Sequence, residues 1–229
     1  MTSPTSPLLQ QRWTHRLMRR FLGVMLPLFF KVYGRWKLVG AENVPETGAV
    51  LFAVNHSSNL DPLLGWAALY RYRILWGIAK EELFKPGLPK FLMESLRSIP
   101  VKRGVADRAM FRAALEVLGQ GDTLGIFPEG TRTHDGKLNV AQPGFTLLAQ
   151  KSKAILIPVA LIGTYEMLPR GAKRLKRVPL TVVFGKPISP DTPREELGAL
   201  VMSEIARLMT EAGFPTEPPL PNAPAPPVD

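Results

Sequence analysis

Along most of the chain, short apolar runs alternate with stretches whose apolar residues recur at helical spacing. Runs near Trp36–Gly40, Ala49–Val54, Arg73–Ala79, Ser98–Lys102, Thr123–Phe127, Ile155–Ala160 and Val178–Phe184 have strand length and are bounded by Gly, Pro, Asn or charged residues. Helical spacing fits Pro62–Tyr70, Leu88–Leu96, Asp107–Leu118, Phe145–Lys151 and Pro193–Thr210. The last is the clearest, with Leu197, Leu200, Val201, Ile205 and Leu208 on one stripe and Thr192 and Glu195 at capping-box positions. This alternation predicts a single α/β domain, a mostly parallel or mixed sheet of about seven strands flanked by helices. No internal repeat and no second domain is visible. The domain is expected over residues 36–212. Its flanks are expected to be disordered: residues 1–11 include the Ser/Thr/Pro-rich Thr2–Pro7, and residues 213–229 include seven prolines.

Residues 12–35 break the alternation. From Arg12 to Lys37 there are seven Lys or Arg and no acid, interleaved with Trp13, Leu17, Phe21, Val24, Leu28, Val32 and Trp36. The uninterrupted apolar run Phe21–Phe30 is short of the ~20 residues a membrane span needs. No small-residue cleavage site follows it, so it does not read as a secretory signal. Basic flanks and terminal Trp residues around an apolar middle predict an amphipathic membrane-association segment, a helix or a helix pair broken near Pro27. A packed core helix would have much the same composition, but an acid-free polar face favours the interfacial reading.

Composition narrows the partners. The 229 residues hold 29 Lys plus Arg against 19 Asp plus Glu, a net charge of +10, which points to anionic partners. There is no cysteine, so disulfides and thiolate metal sites are excluded. The basic run Pro169–Arg177 lacks the interleaved aromatics of a base-stacking surface, which argues against nucleic acid. It reads as a rim for lipid head groups or coenzyme A phosphates, or as solvated loop charge. Gly119–Gly125 has the wrong spacing for a dinucleotide fingerprint and leads from helix into strand. No G-x-S-x-G elbow occurs.

Two constellations carry chemistry. His56 follows the run Ala49–Val54 and precedes Asp61 by five residues, in Asn-His-Ser-Ser-Asn-Leu-Asp-Pro. An imidazole at a strand's end with a carboxylate one short loop away suits a general base whose tautomer the carboxylate fixes. Asp61, followed by Pro62, also has the signature of a helix N-cap. The second constellation, Phe-Pro-Glu129-Gly130-Thr131-Arg132, turns tightly after Thr123–Phe127 and puts a carboxylate and a guanidinium on one rim. Arg103 stands just after Lys102 in an equivalent place. Arginine suits phosphate because its planar fork donates two hydrogen bonds. If the strands run parallel, these groups converge where open α/β sheets bind ligands.

The blocks at 55–62, Ile-Pro-Val-Lys-Arg (99–103), Phe-Pro-Glu-Gly-Thr-Arg (127–132) and Ile-Pro-Val-Ala-Leu (157–161) resemble, in order and spacing, the four motifs of the glycerolipid acyltransferases. The chain is most similar to the bacterial 1-acyl-glycerol-3-phosphate acyltransferases, over roughly Val39 to Ile205. The resemblance implies an acyl transfer from acyl-coenzyme A or acyl carrier protein to the sn-2 hydroxyl of 1-acyl-sn-glycerol-3-phosphate, giving phosphatidic acid in phospholipid biosynthesis. It implies that His56 takes the hydroxyl proton and that Asp61 orients it. Arg103, Glu129, Gly130, Thr131 and Arg132 would bind the phosphate-bearing end of the acceptor. It further implies no metal or prosthetic group, and work at the cytoplasmic face of a bacterial cell membrane, on a surface with anionic lipids.

Two positions depart from the family's pattern: Ala141-Gln142-Pro143-Gly144 lacks a basic residue common before the Gly, and Lys102 fills a position that is often acidic. Both touch the acceptor rim, so another lysophospholipid, or a lyso-lipid with an amino-acid head group, stands as the alternative acceptor. A catalytically silent lipid-binding protein is the rival of a different class. Ser57 and Ser58 admit a covalent acyl-enzyme, though a thioester is reactive enough for direct transfer.

Overall fold

The computed structural model describes residues 12–102 and 107–220. Seven strands form one sheet: β1 (Lys37–Val39), β2 (Val50–Val54), β3 (Leu75–Lys80), β4 (Ser98–Val101), β5 (Thr123–Ile126), β6 (Ile155–Ile162) and β7 (Thr181–Phe184), in the order β1-β7-β6-β2-β5-β3-β4. The neighbours β6, β2, β5, β3 and β4 run parallel, β7 is antiparallel to β6, and β1 is parallel to β7. The helices are α1 (Trp13–Gly34), α2 (Asp61–Leu69), α3 (Leu88–Ser95), α4 (Arg108–Gly119), α5 (Pro143–Ser152), the short α6 (Thr164–Met167) and α7 (Arg194–Glu211).

The central strands β2 and β6 are buried on both faces, which is why they read as unbroken apolar runs rather than alternating ones. Leu51 and Ala53 point to a core shared with α4, α5 and α7, whereas Val50, Phe52 and Val54 point to one shared with α1 and α2. Period-two alternation thus divides a single hydrophobic run between two cores.

Several expected details change. α1 is one helix with Pro27 inside it, not a pair broken there. Packing on both sides of Pro27 keeps the helix continuous: Gly23 lies so close to Tyr70 that a Cβ would sit 2.0 Å from the ring, and Phe30 is fully buried. Residues 178–180 are not strand; the Leu180 amide donates to Gly34 O (2.8 Å) and its carbonyl accepts from Lys37, tying β7 to the end of α1. The capping box before α7 does not form, because the Thr192 hydroxyl donates to Ser189 O (2.9 Å) in the preceding turn. Residues 1–11 and most of the proline-rich tail lie outside the described residues.

Candidate active site

The parallel run of β2 and β5 brings the two sequence constellations to one edge of the sheet. His56 lies two residues beyond β2, and Phe127 directly follows β5. Asn55 fixes the departure of the loop: its side chain donates to Leu161 O (2.9 Å) and accepts from Leu161 N (2.7 Å), extending the β2–β6 ladder by a side chain.

The imidazole is held on two sides. His56 Nδ1 lies 2.9 Å from Asp61 Oδ2, an oxygen that also accepts from the Ser57 and Ser58 amides, both at 2.6 Å. Those amides can only donate, so the oxygen is an acceptor and Nδ1 carries the proton. The neutral ring then has its lone pair on Nε2. Phe127 stacks on the ring at 3.8 Å between centroids and 12° between planes. Asp61 is fully buried and stands one residue inside α2, with Leu60 at the cap position. Its carboxylate therefore does not cap α2 but collects the amides of the preceding loop, a correction to the N-cap reading. The hydroxyls of Ser57 and Ser58 are engaged with Thr164 Oγ1 (3.1 Å) and Leu168 O (2.8 Å).

The second loop grips the main chain of the first. Glu129 Oε1 accepts from the His56 amide (2.7 Å), and the Thr133 amide donates to the His56 carbonyl (2.9 Å). Glu129 Oε2 accepts from the Asn139 amide (2.9 Å) and its Nδ2 (3.0 Å). Burial pushes the Glu129 carboxyl up to about 8, reinforced by Asp61 and opposed by the N–H groups of His56 and Asn139. Gly130 takes a positive φ of 71° while its amide closes the turn on Phe127 O (3.0 Å), the tight bend expected from Pro-Glu-Gly.

His56, Asp61 and Arg132 share one crevice of about 420 Å³ between α2, β3, α3 and the end of β5. Its walls include Leu63, Trp66, Ile78, Met93 and Leu96. Glu129 and Thr131, each 1 % exposed, are not among its lining residues, so the structure separates them from Arg132. Arg103 lies outside the described residues. Lys80 lines the crevice at the end of β3 and was missed in the sequence, where the strand was expected to stop at Ala79. A cation at a strand's end is the signal that points to it. Asn139 and Thr133 were missed because nothing in their spacing tells which loop they meet.

A carboxylate-oriented imidazole sharing a crevice with an arginine, at the carboxyl ends of parallel strands, is an arrangement suited to general-base chemistry on a ligand bound there. The profile of the Acyltransferase family matches residues 35–162, more than half of the chain, and the protein belongs to that family. It is an acyltransferase. A 1-acyl-sn-glycerol-3-phosphate acyltransferase of Bacillus subtilis is 26% identical over 195 residues, 85% of this chain and 92% of that protein. The chloroplastic 1-acyl-sn-glycerol-3-phosphate acyltransferase LPAT1 of Arabidopsis thaliana is 26% identical over 186 residues, 78% of this chain but 49% of its own length. The crystal structure of the 1-acyl-sn-glycerophosphate acyltransferase PlsC from Thermotoga maritima superposes with a TM-score of 0.71 at 28% identity, covering 90% of this chain and 84% of that one.

Proposed function

We propose that the protein moves a fatty acyl group from a thioester donor, acyl-coenzyme A or acyl carrier protein, to the sn-2 hydroxyl of 1-acyl-sn-glycerol-3-phosphate. The observation that carries this is the buried His56–Asp61 contact of 2.9 Å opening on an apolar crevice that also holds Arg132. His56 Nε2 takes the hydroxyl proton as the oxygen attacks the thioester carbonyl. Asp61 stabilises the imidazolium. Collapse of the tetrahedral adduct breaks the C–S bond, and the leaving sulfur takes the proton back from His56. An alcohol is a poor nucleophile but the thioester is already activated, so one base serves and no metal or prosthetic group is required. Arg132 and Lys80 supply cations for the acceptor phosphate, a role that family likeness also gives to Arg103. The crevice walls take an acyl chain. Engagement of both loop serines with α6 and its flank favours direct transfer over an acyl-enzyme.

The partner surface follows from α1. Trp13, Leu17, Phe21, Val24, Leu28 and Val32 are exposed on one side of it, opposite the buried His15, Gly23, Phe30 and Gly34. Exposed Arg16, Arg20 and Lys31 border that stripe. The basic loop through Lys173, Arg174, Lys176 and Arg177 is fastened to the end of α1, where the Tyr33 hydroxyl donates to Leu175 O (3.0 Å) and Arg177 donates to Val32 O (3.1 Å). No helix among the described residues is long and apolar enough to cross a membrane. An apolar stripe bordered by cations fits the surface of an anionic bilayer, peripherally bound at the cytoplasmic face.

Acyl transfer from palmitoyl-coenzyme A and from palmitoyl acyl carrier protein to 1-acyl-glycerol-3-phosphate in mixed micelles tests the reaction, with folded His56→Ala alongside. Product from the wild type alone supports it. Equal product from both removes His56 as base, and product only with another lyso-lipid reassigns the acceptor.

A further inference from the structure

Family likeness puts Glu129 on the acceptor, but its surroundings do not. The carboxyl is 1 % exposed and absent from the crevice lining, with each oxygen accepting from a main-chain amide. Its third partner, Asn139 Nδ2, comes from ten residues further along the same loop. Both carboxyl oxygens are thus already taken by donors of the protein itself, and neither lines the crevice where an acceptor would sit. What Glu129 does touch is the catalytic residue's own backbone, 73 positions earlier in the chain.

We propose that Glu129 is a positioning residue. It fixes the His56 main chain, and so the imidazole, against the second loop, and it makes no contact with the acceptor.

The restraints on His56 are complementary. Glu129 holds its amide and the Thr133 amide holds its carbonyl, so the second loop clamps the residue fore and aft. Phe127 covers the ring face and Asp61 fixes its edge. Asp61 sets which nitrogen is basic; the Glu129 loop sets where that nitrogen is. Without Glu129 a buried amide would lack its acceptor, and the loop would move to find one. A displacement of ~1 Å at a reacting group is enough to slow a reaction about a hundredfold.

The inference rests on His56 being the general base, and two measurements separate failure of the one from failure of the other. The first is steady-state kinetics of Glu129→Ala and Glu129→Gln with varied acceptor. Positioning predicts kcat about a hundredfold lower in Glu129→Ala with KM for the acceptor unchanged. Partial recovery is expected in Glu129→Gln, whose amide oxygen can still accept from His56. A raised acceptor KM with kcat kept would make Glu129 a binding residue and overturn the proposal. The second needs no substrate and no Glu129 variant. Protein labelled with [15N]histidine gives three backbone amide signals, because the chain has three histidines. The His56 amide, bonded to a buried carboxyl at 2.7 Å, is expected far downfield. It should shift in Asn139→Ala, which removes one of the two donors on the other carboxyl oxygen. Three signals at ordinary positions in the wild type would end the proposal whatever the kinetics.

Discussion

Between Asn55 and Asp61 most polar groups are buried and bonded, and one oxygen, Asp61 Oδ2, takes three donors. On the outer side of α1 the chemistry is reversed: Trp13 is 68% and Leu17 61% exposed, with arginines at the margin. One region draws polar groups inside to fix a reacting atom. The other leaves apolar groups outside, where only a non-aqueous partner can cover them. α1 packs on α2 and α3, and both of those helices line the crevice. Burial and polarity therefore follow what each region has to hold in place. On the proposed function, a base must be kept still against its neighbours, whereas an enzyme acting on lipid must itself be kept at a surface.

The contrast can be broken most severely at its buried end. His56→Ala should lower kcat/KM about a thousandfold while the melting temperature stays close to wild type. Loss of activity accompanied by unfolding would instead make His56 a structural residue. At the exposed end, Leu17→Asp, Phe21→Asp and Leu28→Asp combined should weaken binding to anionic vesicles by about a hundredfold. Full burial of one such side chain is worth ~1.5–3 kcal/mol, of which a helix lying in the interface recovers only a part per residue, and the outward face carries little of the fold. Retained vesicle binding in sedimentation assays would show that the stripe is covered by something else.

The titration of Glu129 gives a smaller effect. Between its ordinary value of 4.5 and about 8 the folded protein holds a proton that the unfolded chain has released. This contribution to stability is complete below pH 4.5, falls through the interval by at most ~1.4 kcal/mol per pH unit, and is lost above about pH 8. Denaturant midpoints measured across that range should decline in the wild type and decline less in Glu129→Gln; identical slopes would count against a buried acid there. The smallest effect concerns helix ends. Asp107→Ala should cost ~1 kcal/mol, since its carboxylate accepts from the Ala109 and Met110 amides at 3.0 and 2.9 Å. Thr192→Ala should stay within ~0.5 kcal/mol, and a loss as large as that of Asp107→Ala would restore the capping box before α7.

The α/β alternation and the meeting of the two constellations were legible because each motif abuts an apolar run that can only be a buried strand. The direction of Glu129 was not. Spacing placed its Cα at the rim, but whether the side chain faces the crevice or the His56 amide depends on contacts 73 residues apart. The same holds for Asn55, whose side chain completes a ladder with Leu161, 106 residues away. Local rules failed where a neighbour outcompeted them. Ser189 O took the Thr192 hydroxyl from α7, and the loop amides took Asp61 from α2. Pro27 failed as a breaker because tertiary packing on either side overrode its local preference.

The pairing of β1 with β7 also orders events in time. α1 and β1 leave the ribosome long before their seat exists: Tyr33 precedes Leu175 by 142 residues and Val32 precedes Arg177 by 145. Until β7 is made, the end of α1 lacks the partners that fasten it there, while its outward apolar stripe with bordering cations is exposed from the start and can meet lipid first. If the stripe binds a bilayer as proposed, attachment is expected to begin on the nascent chain, before the catalytic domain is complete. Ribosome-bound chains arrested before β7 should float with anionic vesicles, and chains that float only after β7 emerges would place attachment after folding.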